Sequence, residues 1–475
     1  MDSRTDAAFA PFAARMAAAA VPEIAVRTFR HAYDQLHGGA TGHIAGRDAL
    51  PPEGLADLAA LGHHAAAGRA ALDRTVVLRL NGGLGTSMGL RGPKSLLPVR
   101  DGWTFLDIIA RQVLALRAET GARLPLLLMN SFATRAPTLA ALAAYPDLAA
   151  DVPLDFLQHQ VPKVWAHDLM PVDWPADRTL EWCPPGHGDL YPALASSGVL
   201  DALLAAGYAY AFVSNADNLG ATLDLSLLGW LAAEHVPFGV EVTRRTVLDR
   251  KGGHLAQRAD GALMLRELAQ CPPDEVDDFQ DIERYAWFNT NNLWLHLPTL
   301  RAELDAHGGV LALPLIRNRK PVDPTDPSSP PAIQLETAMG AAVGVFKGAR
   351  AVRVPRVRFA PVKKNDDLLL VRSDAYRLDD AWRIVPAPPF DDGSRPLPAV
   401  RLDDAHWRSV QDLDAGFPAG PPSMTDCRTL AITGRYRFGR GVVAQGDVAL
   451  VNDGPDVIAI PDGARLSNGE FSKKS

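Results

Sequence analysis

Cysteine is scarce: Cys183, Cys271 and Cys427 are the only three in 475 residues. They lie far apart with no C-x-x-C or Cys/His cluster, which argues against a disulfide framework or a structural zinc site and suits the reducing cytoplasm. Long apolar runs are missing too. No stretch reaches the ~18 uncharged apolar residues that a membrane span needs. Near the N-terminus the alanine-rich FAPFAARMAAAAVPEIAV is broken by Arg15 and preceded by Asp2, Arg4 and Asp6. A secretory core wants an unbroken apolar run of ~7–15 residues after a basic start, so this stretch reads as an amphipathic helix. Positive charge is not in excess. With 48 basic against 55 acidic side chains and a formal net charge of −7, no general nucleic-acid or anionic-membrane surface is expected, and any phosphate binding must be local.

What the chain does have is a loop. Leu80 to Ser95 reads LNGGLGTSMGLRGPKS, five glycines and a lysine after the apolar run Val76-Val77-Leu78. The run favours a buried strand, and Asn-Gly-Gly at its end is expected to turn sharply with positive φ. Glycines leave backbone N–H groups free to converge on one anion, and Lys94 adds a mobile point charge for phosphate oxygens. Two common nucleotide loops are ruled out by spacing. A Walker loop needs G-x-x-x-x-G-K-[ST], but Pro93 separates Gly92 from Lys94. A dinucleotide fingerprint needs G-x-G-x-x-G, but Gly83, Gly85 and Gly89 give G-x-G-x-x-x-G.

The length fits two or three domains of ~100–200 residues, and 47% hydrophobic content supplies a core. Residues 1–70 read as a helical segment punctuated by Pro22, Pro51 and Pro52. Residues 71–372 alternate strands (Val76–Leu80, Leu124–Met129, Ala209–Val213) with helices, one over Thr104–Thr120 opening on the capping box Thr104-x-x-Asp107 and one after Ser131. That alternation implies an α/β fold with a mainly parallel sheet covered on both faces and ligands outside the strands' carboxyl ends. Residues 373–475 form a separate module, set off by proline clusters. Within it Ile432, Phe438, Ala444 and Leu450 recur every six residues with glycines between, which periodicity alone reads as a short β-helix or an irregular β-sandwich.

Several polar clusters carry candidate chemistry. Asn215 and Asp217 follow the strand Ala209–Val213, at the same sheet edge as the glycine loop. Mg²⁺ takes one or two carboxylates plus substrate phosphates, so Asp217 suffices as a protein ligand; an Asx turn is the other reading. Asn289-Thr290-Asn291-Asn292, between Trp287 and Trp294, offers short polar side chains for ring hydroxyls, or else a turn cluster. In Pro184-Pro185-Gly186-His187-Gly188-Asp189 the prolines stiffen the backbone and Gly186 lets it lie flat against a base.

The loop is similar to the signature of the nucleotidylyltransferases that make UDP-sugars. FLQHQVPKV, WCPPGHGDLY, FVSNADNLGATLD, WFNTNNLWL, IQLETAMGAA and FAPVKKNDDLLLV follow in order over roughly residues 75–375. Together they resemble the eukaryotic-like UTP–glucose-1-phosphate uridylyltransferase (UDP-glucose pyrophosphorylase) family. Thr86-Ser87-Met88-Gly89 favours the glucose branch over the N-acetylhexosamine relatives, which usually carry an Arg-Leu-Gly variant there.

The resemblance implies a Rossmann-like, GT-A-like central mixed sheet and a C-terminal left-handed β-helix. It implies Mg²⁺-dependent conversion of UTP and glucose 1-phosphate to UDP-glucose and pyrophosphate. By the same likeness Leu80, Asn81, Gly82 and Gly83 approach the nucleotide, with Gly83 and Asn215 also near the sugar phosphate. Lys94 contacts the triphosphate and leaving pyrophosphate. Lys363, rather than its neighbour Lys364, bridges the two substrates' phosphates. Gln158, with Gln160 as rival, pairs with uracil, since an amide offers both a donor and an acceptor. His187 contacts the sugar phosphate, and Glu267, Asn289 and Asn291 the hexose. The alternatives are a UDP-sugar or UDP-N-acetylhexosamine pyrophosphorylase and, from another class, an inactive nucleotide-sugar-binding regulator; keeping Lys94, Asp217 and Lys363 together argues against the last. Oligomeric state is not readable. The polar tail SNGEFSKKS lacks the apolar closing strand of assembling relatives, so a large assembly is not expected.

Overall fold

Ten short segments rich in β-branched and aliphatic residues build the central sheet. The computed structural model describes residues 3–388, 390–391 and 393–469. In chain order the strands are β1 (Ala56–Asp57), β2 (Thr75–Asn81), β3 (Leu126–Asn130), β4 (Asp155–Leu157) and β5 (Tyr210–Asn215). They continue as β6 (Phe238–Arg244), β7 (His254–Gln257), β8 (Leu263–Arg266), β9 (Trp287–His296) and β10 (Arg350–Arg353). Their spatial order is β1-β10-β6-β9-β5-β2-β3-β4, with the β7–β8 hairpin attached to β9. Parallel pairing runs from β5 through β2 and β3 to β4, as the strand–helix alternation requires. The sheet is nevertheless mixed, because β9 lies antiparallel between β5 and β6. Its hydrophobic pattern could not show direction: a strand buried on both faces reads the same either way.

Alternation along β2 sends Val77 to one face and Val76 and Leu78 to the other. On the first face the sheet packs against the helix Phe105–Thr120, whose predicted capping box of Thr104 and Asp107 is present, and against Leu225–Ala233. On the second it packs against Leu190–Ser196, Val199–Ala205 and Leu297–Ala306.

The N-terminal region is not uniformly helical. Helices cover Ser3–Ala18, Glu23–His37 and Ala65–Ala71, but Ala56–Asp57 supplies the edge strand of the central sheet. Proline and glycine between residues 38 and 54 prevent a continuous helix. Phe9, Phe12, Phe29 and Tyr33 form one aromatic cluster, with Phe12 and Tyr33 centroids 4.8 Å apart, against the hairpin Ile316–Pro321/Pro331–Glu336.

Beyond residue 398 the strands Ala399–Leu402, Ser423–Thr433, Val443–Val451 and Arg465–Gly469 stack in parallel, and Tyr436–Phe438 and Ile458–Ile460 form a second parallel pair. From Ser423 the chain visits the two sheets in turn, so it coils. Ile432, Phe438, Ala444 and Leu450, the residues of the six-residue period, are all buried inside it. Most of the polar tail lies outside the described residues.

Candidate active site

The carboxyl ends of the parallel strands open into a cleft of about 330 Å³. Its lining includes Leu80, Asn81, Gly82, Gly83 and Lys94 from the glycine loop, Gln158 after β4, Gly186 and His187, and Asn215 and Asp217 at the end of β5. Segments more than a hundred residues apart in sequence therefore share one wall. Ser95, Met129, Pro184, Ala216 and Glu336 line it too. Glu336 lies in IQLETAMGAA, where no local pattern marked it; its Oε1 accepts from Asn318 Nδ2 at 2.9 Å.

Lys94 Nζ is 2.7 Å from Asp217 Oδ2, with only 15% and 23% of the two side chains exposed. An acid thus holds the phosphate-loop cation over the cleft. Asn81 turns inward, its Nδ2 donating to Asn130 Oδ1 at 2.7 Å and Thr138 Oγ1 at 2.9 Å, and so braces the ends of β2 and β3. The expected positive φ is not at Gly82 or Gly83 but at Gly85 and Gly89, which flank the Thr86–Met88 turn. A Cβ at Gly82 would sit 2.9 Å from Gln158 Oε1, so a side chain there would displace that amide. Gln158 Nε2 donates to the Gly186 carbonyl at 3.0 Å, so this amide spans the gap between the two segments.

His187 accepts the Met339 N–H on Nδ1 at 3.0 Å. Burial lowers its pKa to about 4, so at neutral pH the ring is uncharged and its proton sits on Nε2, a hydrogen-bond donor.

Lys363, Glu267, Asn289 and Asn291 are not among the cleft-lining residues. Lys363 is exposed on a turn whose backbone is tied to the cleft, since Val362 N donates to Asp217 O at 3.1 Å. Its own N–H donates to Asp367 Oδ2 at 2.8 Å. Burial raises the Asp367 pKa, and the charges of Lys363 and Lys94 both oppose that rise, so one carboxylate feels both lysines. Lys364 points elsewhere, 3.6 Å from Asp404. Burial also raises Glu267, again opposed by Lys363.

The Asn289–Asn292 island divides. Register slips between Val240 and Val242, making a bulge in which Asn291 has φ 58°. Asn289 Nδ2 donates to Asn291 Oδ1 at 2.9 Å, whereas Asn292 Nδ2 donates inward to Glu241 Oε2 at 3.0 Å. Trp294 is no pocket wall. It is fully buried, 4.6 Å from the Phe212 ring, and its indole N–H donates to Glu241 Oε1 at 2.9 Å. Glu241 also takes two bonds from Arg358, at 2.8 and 2.6 Å. Asn218 joins this buried group to the loops above: Nδ2 donates to Asn292 Oδ1 and Arg358 O, both at 3.2 Å, and Oδ1 accepts Ala360 N–H at 3.0 Å.

A mixed α/β sheet whose strand ends carry a glycine-rich loop, a lysine held by a carboxylate and a glutamine amide across one cleft has the frame of a nucleotidyltransferase. The chain belongs to the UTP–glucose-1-phosphate uridylyltransferase family, whose sequence pattern matches residues 27–445. It is 42% identical over 398 residues to a probable UTP–glucose-1-phosphate uridylyltransferase of Schizosaccharomyces pombe, covering 84% of this chain and 77% of that one. With the Solanum tuberosum enzyme it shares 41% over 416 residues, 87% and 84% of the two chains. Among solved structures, a mutant UDP-glucose pyrophosphorylase from Leishmania major in complex with UDP-glucose superposes with TM-score 0.91 at 42% identity, covering 98% and 99%. The Trypanosoma brucei protein gives 0.89 at 42%, covering the same shares.

Proposed function

We propose that this chain transfers the uridylyl group of UTP to glucose 1-phosphate, releasing pyrophosphate, at the cleft above β2, β4 and β5. The observation that carries the reading is the meeting in one cleft of Lys94, Asp217, Gln158, Gly186 and His187. A phosphate oxygen of glucose 1-phosphate attacks the α-phosphorus of UTP in line; the bond from that phosphorus to the bridging oxygen breaks, and pyrophosphate leaves on the opposite side. Such transfers need positioning and neutralised charge more than covalent help. Lys94 neutralises the triphosphate and the leaving pyrophosphate. Lys363 closes over the phosphates of both substrates. Gln158 and the Gly186 backbone read uracil. The Nε2–H of His187 donates to the sugar phosphate, with Gly83 and Asn215 beside it. Glu267, Asn289 and Asn291 accept and donate to the hexose hydroxyls.

The donor set at Asp217 suits Mg²⁺. Among the described residues no cluster of three or more His, Cys, Asp or Glu exists to cage an ion, but a single carboxylate beside a phosphate loop is enough when substrate oxygens complete the shell. Magnesium bound there supplies further charge neutralisation on the triphosphate. The same reading takes residues 1–70, 71–372 and 373–475 as three units, the second a Rossmann-like nucleotidyltransferase sheet and the third a left-handed β-helix, in a cytoplasmic protein. No described helix is long and apolar enough to cross a membrane.

The test is pyrophosphate release from UTP with a panel of sugar 1-phosphates. Glucose 1-phosphate is expected to give the highest kcat/KM; preference for an N-acetylhexosamine 1-phosphate, or no release with any sugar, overturns the reading.

A further inference from the structure

We propose that Asp189, acting through His159, is a positioning residue that locks the orientation of the Gln158 amide and thereby sets the preference for uracil over cytosine. The proposal rests on the reading of Gln158 as the residue that meets the base.

Asp189 is 4% exposed and ends the turn His187–Asp189. Its Oδ2 accepts the backbone N–H of His159 at 2.7 Å, and its Oδ1 lies 2.8 Å from His159 Nδ1. The other ring nitrogen, Nε2, meets Ser196 Oγ at 2.9 Å. Main chain and side chain of one residue are thus gripped by one buried carboxylate. The grip joins the residue after Gln158 to the residue three beyond Gly186. Gln158 itself is anchored at its backbone, N donating to Asn130 O at 2.8 Å, and across the gap its Nε2 donates to Gly186 O at 3.0 Å while Oε1 faces Gly82.

Uracil offers a donor at N3–H and an acceptor at O4, and cytosine reverses both. The terminal torsion of a glutamine is broad and roughly two-fold, so an unrestrained amide flips to suit either base. Here a flip would turn Oε1 toward the Gly186 carbonyl, setting acceptor against acceptor. That restraint acts only while the Gly186 segment stays at bonding distance from residue 158, and the Asp189–His159 grip holds it there. Asp189 does not line the cleft, so its influence passes through Gln158.

The Ser-His-Asp order of these side chains invites a hydrolytic reading, which the surroundings oppose. The backbone N–H groups of Ser197 and Gly198, next to Ser196, already donate to Ala193 O and Ala195 O at 3.1 Å each. An acyl-transfer serine needs such donors free for the developing oxyanion.

Steady-state kinetics with UTP and CTP on Asp189→Ala, Asp189→Asn, Gln158→Ala and the Gln158→Ala/Asp189→Ala pair test the proposal, with thermal melting to confirm folding. Asp189→Ala is expected to lower the UTP-to-CTP ratio of kcat/KM about tenfold, mainly through a higher KM for UTP. Asp189→Asn is expected to stay within about twofold of the starting ratio, because its carbonyl still accepts the His159 N–H and its amide donates to the other imidazole tautomer. The double variant should match Gln158→Ala, since two residues that act as one unit do not add. A folded Asp189→Ala with an unchanged ratio overturns the proposal, as does a double variant with a further, additive loss. If Gln158→Ala keeps the full ratio, the base-reading assignment itself is wrong, and that result identifies which of the two has failed. Should Asp189→Ala not fold, His159→Ala keeps Asp189 but cuts the ring tie; a ratio lowered about threefold supports the grip and an unchanged one overturns it.

Discussion

The two sides of the cleft are built differently. In the proposed assignment the nucleotide side holds several polar groups that are already engaged, Lys94 with Asp217, Asn81 with Asn130 and Thr138, and Gln158 with Gly186, with the Asp189–His159 pair behind them. The sugar side of that assignment is split: His187, Gly83 and Asn215 line the cleft, whereas Lys363 is exposed and Asn289 and Asn291, bonded to each other, are not among the lining residues. Parallel strand ends present loops in a row, which makes a preformed wall. The sugar side is assembled instead from a bulge in β9, the β7–β8 hairpin and a turn held from beneath by Glu241, Arg358 and Asn218. Preorganised dipoles act without rearrangement at the moment of reaction, so the proposed assignment predicts a nucleotide wall that grips as built and a sugar wall that is completed by closure.

Removing either lysine breaks this comparison most severely. Lys94→Ala and Lys363→Ala should each lower turnover ~10²–10³-fold with the fold intact, the usual loss for one preorganised electrostatic partner. Their KM values should separate the walls, with UTP KM rising more in Lys94→Ala. Either variant keeping more than about a tenth of the turnover contradicts its role.

Asp217→Asn comes next. The amide keeps the shape and loses the charge, so turnover should fall about tenfold and the Mg²⁺ concentration for half-maximal rate should rise. An unchanged magnesium requirement would leave Asp217 as a partner of Lys94 alone.

A smaller effect lies behind the sugar wall. His254 stacks 4.2 Å from Tyr285 and lies 4.6 Å from the tilted Phe279 ring, and both ring nitrogens are buried without a partner among the described residues. Burial first, then the charges of Arg245 and Arg266, lowers its pKa from 6.5 to about 2. The unfolded chain therefore takes up a proton near pH 6.5 that the folded chain refuses, so stability is full above that pH and falls as pH drops below it. His254→Phe should raise the melting temperature at pH 5 and change it little at pH 8; a gain of equal size at both pH values refutes the titration argument.

Asp224→Ala is the smallest perturbation. Asp224 caps the helix Leu225–Ala233, accepting from Ser226 N at 2.8 Å and Leu227 N at 3.1 Å. Its loss should cost ~1 kcal/mol of stability in chemical unfolding and leave the magnesium requirement unchanged. A shifted magnesium requirement would move the metal toward Asp224.

The same contrast explains what the sequence revealed. Strand ends that run into a glycine loop with a lysine, or into an aspartate, are local patterns, so Lys94 and Asp217 are readable as neighbours of one cleft, whereas the Gly186–His187 turn joins them only through the family resemblance. The cross-braces were not: Glu241 and Arg358 are 117 residues apart and Asp189 and His159 30 apart, with nothing in either segment that names its partner. Trp294 misled because an aromatic beside asparagines reads alike in a sugar pocket and in a core, and only its bond to the buried Glu241 distinguishes them. Asn-Gly-Gly predicts positive φ at the first glycine pair, yet Gly85 and Gly89 carry it, on either side of the Thr86–Met88 turn. The mixed sheet follows from the family resemblance and not from periodicity, which carries no signal of strand direction in β9.

The difference between the walls is tested most directly by calorimetric titration of the substrate-free enzyme. UTP with Mg²⁺ should bind the preformed wall in the absence of sugar, while glucose 1-phosphate should bind measurably only after a nucleotide occupies the cleft. Equal affinity for glucose 1-phosphate with and without bound nucleotide would contradict the account, because it would require a sugar wall as complete beforehand as the nucleotide wall opposite.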